Sequence, residues 1–289
     1  SSNVQPKITY QGGIGDSNEN RMLLEKYELD GTGWGSPFLL VPEATNVDAK
    51  TFEKLLNAKK SDFYLSRASP LGVPFNNLRT STAEAQRKER IAKGKPGSPC
   101  YKKLLSSNVE FTEKPICTAS RQYQNLKIKQ REAGEISEAV LNEVLEKDCL
   151  CEGLGAPALL SVGETPRRNL SAVTICPGPN LAYFKGSFSL KEMVDHIYGK
   201  VSLRLDPERP HVFVKELQLY VKHLKSDIEN ALPENGKKVE AYIEKFKKNL
   251  SEGIAYYQEF KDSWSKENTL VLERAKAQLA EMKLNLQLA

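Results

Sequence analysis

Two groups of residues carry the chemistry legible in this chain. The first is a set of five cysteines, of which Cys100, Cys117, Cys149 and Cys151 share one stretch while Cys176 stands apart. Four thiolates satisfy either tetrahedral zinc or an iron–sulfur cluster. Their surroundings suit a metal knuckle, in which backbone amides must turn toward sulfur. Pro96-Gly-Ser-Pro99 leads into Cys100, Lys114-Pro-Ile precedes Cys117, and Gly153 follows the Cys149-x-Cys151 pair. The spacing is irregular: sixteen residues separate the first two cysteines, thirty-one the next two, and no Cys-x2-Cys occurs. Four buried free thiols are therefore the alternative to a metal site, since cysteine is among the most buried residue types. The odd count argues against a disulfide framework. Cys176, in Ile175-Cys-Pro-Gly-Pro179, reads as an isolated thiol.

The second group is glycine-rich. Tyr10-Gln-Gly-Gly-Ile-Gly15 reads as the end of a short strand over Pro6 to Gln11 and a turn with bare amides. Apolar spacing at Met22, Leu23 and Tyr27 predicts a helix over 18–28, and Asp30-Gly-Thr-Gly-Trp-Gly-Ser-Pro opens a second strand end. Two neighbouring strand ends offering N–H groups are how a (β/α)8 barrel grips a phosphate after its last two strands. The residues placed to do so are Gly12, Gly13, Ile14, Gly35 and Ser36.

The elements around these groups divide the chain into three. Residues 1–62 read as the last two strand–helix units of a barrel, and 63–200 as an irregular, proline- and glycine-punctuated module. Within that module helices are predicted over 136–146 and 189–198, the latter opened by a Ser189/Glu192 capping box, with a short strand over 171–175. So little regular structure suggests that a metal staple assists apolar burial. Residues 201–289 carry three apolar stripes at helical spacing: Val214 to Ala231, Val239 to Trp264, and Leu272, Ala275, Leu279, Met282 and Leu286. Breaks at Leu232-Pro-Glu-Asn-Gly236 and near Ser265 predict an antiparallel three-helix bundle. The fold class is thus mixed α+β, with the bundle packing on the barrel or mediating homo-oligomerisation.

Composition excludes several functions. The net charge is only +5 among 42 basic and 37 acidic residues, which is no nucleic-acid footprint. The cluster Arg87, Lys88, Arg90, Lys93 and Lys95 lacks interleaved aromatics and reads as a solvated face. No apolar run reaches the roughly 20 residues of a membrane span, and no signal-peptide pattern is present. A cytoplasmic protein without membrane or nucleic-acid partners is expected, and Asn169-Leu-Ser171 and Asn249-Leu-Ser251 read as chance matches to the glycosylation pattern. His196, His211 and His223 have no spaced partner that makes a triad legible, and each reads as structural.

Gly12-Gly-Ile-Gly15 and Gly31-Thr-Gly-Trp-Gly-Ser-Pro-Phe-Leu-Leu-Val-Pro-Glu-Ala44 resemble the barrel end of nitronate monooxygenases (the 2-nitropropane dioxygenase family), in particular a large bacterial branch. The resemblance continues through Ser66-Arg-Ala-Ser-Pro-Leu-Gly-Val-Pro-Phe-Asn-Asn77 and Cys149-Leu-Cys-Glu-Gly-Leu154. It covers roughly residues 1–200, and the remainder loosely. It implies an FMN-dependent oxidoreductase of which this chain is the C-terminal part. The glycine residues named above would hold the flavin phosphate, with Trp34 and Phe38 on the barrel interior or beside the flavin. Strands one to six and the catalytic histidine are then expected upstream of Ser1, and the segment is expected to be inactive alone, meeting its small-molecule substrate through the parent enzyme. The family's pattern includes the same four cysteines, which favours metal without choosing zinc or an iron–sulfur cluster. Two other functions remain open: a metal-stapled assembly module without catalysis, and a flavin enoyl reductase on the same barrel.

Overall fold

A computed structural model describes residues 5–166, 172–178, 180–203, 205–229, 236–259 and 266–281. It is mixed α+β, mainly helical, with four short strands among the described residues. The chain divides into two compact units, Ser1–Asp206 and Pro207–Ala289.

In the first unit, strand β1 (Thr9–Gln11) leads through helix α1 (Ser17–Glu25) to strand β2 (Gly31–Gly33), which pairs with β1 in parallel. Asp16 caps α1 by accepting the amides of Asn18 and Glu19. The helix ends short of residue 28, where Glu28 takes a positive φ of 51°. A Cβ on Gly33 would lie 2.8 Å from Cγ of Gln11, so any larger residue there must displace that side chain. A short 3-10 helix over Ser36–Leu40 and helix α2 (Ala49–Asn57) follow.

The middle of this unit is more regular than its composition suggests. An antiparallel pair, β3 (Phe63–Ser66) and β4 (Phe75–Leu78), precedes helices α3 (Thr82–Ala92) and α4 (Arg121–Glu132). Next come α5 (Glu138–Leu145), α6 (Leu150–Gly153), α7 (Ala156–Ser161) and α8 (Leu190–Ile197). The capping box at Ser189 and Glu192 is present as read. The expected strand over 171–175 is not: residues 172–175 pair with no strand, because their hydrogen bonds go to helices. Val173 O accepts the Ala83 amide, and the Thr174 amide donates to Gly153 O. Leu40, Val41, Leu55, Leu78, Leu181 and Met193 bury together, so the glycine-rich start and the cysteine module share one core.

The second unit holds α9 (Val212–Glu229), α10 (Gly236–Gln258) and α11 (Lys266–Glu281), each packed on the other two. Its core is the expected apolar seam: Val214, Leu217, Val221, Leu224, Ile243, Leu250, Ile254 and Leu272. Helix α10 runs antiparallel to α9, because Phe213 stacks on Tyr257, Tyr220 meets Phe246, and Asp227 accepts from Tyr242. The expected breaks at 232–235 and near 265, together with Ala231, Phe260, Trp264, Met282, Leu286 and the side chains of Ala275 and Leu279, lie outside the described residues, as does Asn169-Leu-Ser171.

Candidate functional site

A single carboxylate ties together two of the segments that carry the clustered cysteines. Asp148 is buried, and its Oδ1 accepts three hydrogen bonds: from Ser98 Oγ at 2.8 Å, Arg90 Nη2 at 2.8 Å and the Cys149 amide at 2.9 Å. It therefore ties the segment that enters Cys100 to the segment that enters Cys149. A second tie runs from Ser98 to α4. The Ser98 amide donates to Ala119 O, and Ser98 O accepts the Arg121 amide, so Cys100 and Cys117 flank one short parallel bridge. A third is Gln124, fully buried, whose Nε2 donates to the carbonyls of Val144 and Lys147 just ahead of Cys149.

The thiols lie within electrostatic reach of one another in pairs: Cys117 feels Cys100 and Cys151, and Cys149 feels Cys151. Burial first, and then the neighbouring thiols Cys100 and Cys151, push the Cys117 thiol up to about 11. Burial pushes Cys149 up to about 12, reinforced by Cys151, Asp148 and Glu152. Two amides work the other way, Ala119 N–H on Cys117 and Glu152 N–H on Cys149. Such N–H contacts to sulfur, at the turn after one cysteine and the first turn of α6 after the other, are what a thiolate knuckle supplies. Among the described residues no group of three or more Cys, His, Asp or Glu side chains is already gathered around a metal position. Neighbouring thiols, together with Asp148 and the buried Glu152, raise the cost of ionising Cys149, a repulsion that a bound cation would reverse. Cys176 is apart from this set; its thiol interacts with the amides of Gly178 and Asn76, and the residue is exposed.

The glycine segments lie side by side. The β1–β2 register pairs Gln11 with Gly33, so Gly12–Ile14 and Trp34–Ser36 leave the same end of the sheet. At Gly12 and at Gly35 a Cβ would point into open space, which leaves a side-chain-free cradle there. Some of its amides already have protein partners. Gly12 N–H donates to Gly33 O at 3.2 Å, and Gly15 N–H donates to the buried Glu19 carboxylate at 2.8 Å. The segment after Cys176 crosses both strand ends: Asn180 Nδ2 donates to Ile14 O at 2.8 Å, and Gly178 approaches Ser36 so closely that a Cβ would be 2.2 Å from its Oγ. Phe38 lines a recess of about 290 Å3 with Gly35, Val47, Leu154, Pro157 and Ile175.

His196 is the buried tie of this region. Nδ1 accepts the Leu203 amide at 3.2 Å, which leaves the proton on Nε2 to donate to Gly15 O at 2.8 Å. The ring meets Trp34 and Phe184 edge-on. His196→Ala is expected to lower the stability of the unit by about 2–3 kcal/mol, from lost packing and from one buried and one partly buried backbone group left unsatisfied. Urea denaturation followed by circular dichroism measures it, and an unshifted midpoint contradicts it.

Sequence reading missed Asp148, Arg90, Asn180 and the tying role of His196. Only Asp148 left a signal, as the acid that opens the Asp-Cys-Leu-Cys-Glu run. His223 pairs with Asp227 on its own helix at 3.4 Å, and the His211 Nδ1 accepts the Phe213 amide. No helix of the described residues is long and apolar enough to cross a membrane. Compared with protein-family models, curated proteins and solved structures, the chain matches none.

Proposed function

We propose that this chain is the C-terminal part of a cytoplasmic, FMN-dependent oxidoreductase of the nitronate monooxygenase type, and that its β1–α1–β2 segment is the last strand–helix–strand of the barrel. One observation carries the reading: parallel pairing sets the open cradles at Gly12 and Gly35 beside each other at the same sheet end. Backbone amides there suit an anion of phosphate size. Because Gly12 already donates within the protein and Gly13 has an interaction of its own, the grip narrows to the amides of Ile14, Gly35 and Ser36. Asn180 holds Ile14 in place, Gly178 backs Ser36, and His196 holds Gly15. FMN held there would supply electron transfer from the small-molecule substrate to oxygen. Cys100, Cys117, Cys149 and Cys151 would hold zinc or an iron–sulfur cluster that staples the module behind the cradle. The three-helix unit serves assembly.

Gly35→Val in the protein carrying the full barrel tests the grip. Gly35 has a φ of −104°, which any residue adopts, so valine fills the cradle without straining the backbone. FMN affinity, read by quenching of flavin fluorescence, is expected to fall at least about tenfold, the equivalent of one lost charge-assisted contact. Unchanged flavin occupancy would sink the proposal.

A further inference from the structure

The charge of this chain is concentrated where its function has no use for it. Residues 79–131 carry thirteen Lys and Arg against four Asp and Glu, a net +9 inside a chain whose total is +5. Five of those cations are paired: Arg87 with Glu84, Arg90 with Asp148, Lys93 with Glu89, Lys127 with Glu110 and Arg131 with Glu138. Lys95, Lys102, Lys103, Lys114 and Arg121 are all exposed, and none has an acidic partner among the described residues.

Three of these five lie on the loop between Cys100 and Cys117, and Lys95 and Arg121 flank it. Gly97 packs on the backbone of Arg121, its Cβ position 2.6 Å from Arg121 Cα, which draws the two ends of this stretch together. Lys102 and Lys103 follow Cys100 and Lys114 precedes Cys117, so these three stand where the loop leaves and returns. Lys102 reaches the Cys151 carbonyl, so it lies over the knuckle. Between Lys103 and Lys114 the chain forms a loop closed by the Asn108–Ile116 bridge, and on it Leu104 and Val109 are 73% and 61% exposed. Large apolar side chains standing out of a loop bordered by exposed lysines have the anatomy of a protein-binding patch, an apolar centre with a charged rim.

We infer that this face of the cysteine module docks an acidic protein surface, with Leu104 and Val109 entering an apolar recess between the partner's carboxylates. A nucleic-acid backbone fits less well. It would use the cations, but it offers nothing to the two aliphatic side chains, and the loop's ring, Phe111, is already held against Tyr123 and Lys127.

The test uses the full chain and two synthetic peptides of identical Glu-and-Leu-rich composition, one with its leucines in a single helical stripe and one scrambled, alongside a DNA duplex of similar total charge. Binding is read by fluorescence anisotropy at low and at physiological salt. The striped peptide is expected to bind at least about tenfold tighter than the scrambled peptide or the duplex, and to weaken as salt screens the rim. Lys102→Glu with Lys103→Glu should weaken it by about tenfold or more, chiefly by slowing association. Leu104→Ser should weaken it while leaving the salt dependence intact. Circular dichroism melting of each variant checks that the module stays folded. Tighter binding of the duplex overturns the inference in favour of a nucleic-acid surface. Equal binding of the two peptides, or indifference to the charge reversals in folded variants, reduces the patch to a solvated face.

Discussion

Gly97→Ala is expected to cost about 3–5 kcal/mol of stability and to abolish metal uptake, whereas Gly94→Ala costs about 1 kcal/mol and leaves uptake intact. The two glycines lie three residues apart and share a left-handed backbone, with φ of +79° and +63°. Each alanine therefore bears the same conformational penalty. The difference is what surrounds them. A Cβ on Gly94 meets nothing within 4 Å, while on Gly97 it would lie 2.6 Å from Arg121 Cα, 2.7 Å from its N and 2.8 Å from Ser120 C. All three are backbone atoms, so no rotamer change relieves the overlap. The bridge between Ser98 and Ser120 must open, and with it goes the approach of Cys100 to Cys117. Chemical denaturation of both variants, with zinc content measured on the folded protein, separates the effects. Equal destabilisation by the two alanines would show that close approach at Gly97 contributes nothing.

That pair of glycines also shows what a sequence can and cannot disclose. Pro96-Gly-Ser-Pro99 was legible as a turn leading into a cysteine, but a local pattern does not say which distant backbone it will touch. Helices whose signal is internal were readable: the Ser189/Glu192 box, and the seams through Val214 to Leu224 and Val239 to Ile254, because 3.6-residue periodicity is written along the chain. Helices α3 and α4 were not. Only Ala83 and Glu84 of α3, and Tyr123, Gln124 and Lys127 of α4, are buried, so both faces look polar in sequence. Their inward residues are tied by hydrogen bonds, which have no period. The stretch 172–175 failed in the opposite sense. Its apolar run resembled a strand, yet it is buried by helix ends whose amides and carbonyls take the place of a ladder. The cysteines were readable as candidates, but Asp148, which ties two of their segments, acts across fifty residues through Ser98. Pairing at that range is settled by the core, not by neighbours in the chain.

Zinc affinity of the reduced chain is expected to rise at least about hundredfold for each pH unit between pH 6 and 8, the share due to Cys117 and Cys149. The sign follows from the thiols. Burial and neighbouring thiols hold Cys117 at about 11, and burial with Cys151, Asp148 and Glu152 holds Cys149 at about 12. Both are protonated throughout this range, so metal must displace one proton from each, and two displaced protons give a slope of two in the logarithm of affinity. The same protonation makes these thiols poor nucleophiles, so a reactive-cysteine role is the weaker use of them. Competition with a chelator at several pH values, with proton release measured by calorimetry, provides the slope. Cys117→Ser and Cys149→Ser should each remove most of the affinity, and Cys176→Ser should leave it unchanged, because that thiol is held by Gly178 and Asn76 and not by the set. A pH-independent affinity, or equal losses for Cys176→Ser and Cys117→Ser, would place any bound zinc elsewhere. Brown absorption in protein purified without oxygen, lost in the same two variants, would assign the four thiols to an iron–sulfur cluster. In that case the module would carry electrons to or from the proposed flavin as well as holding the fold.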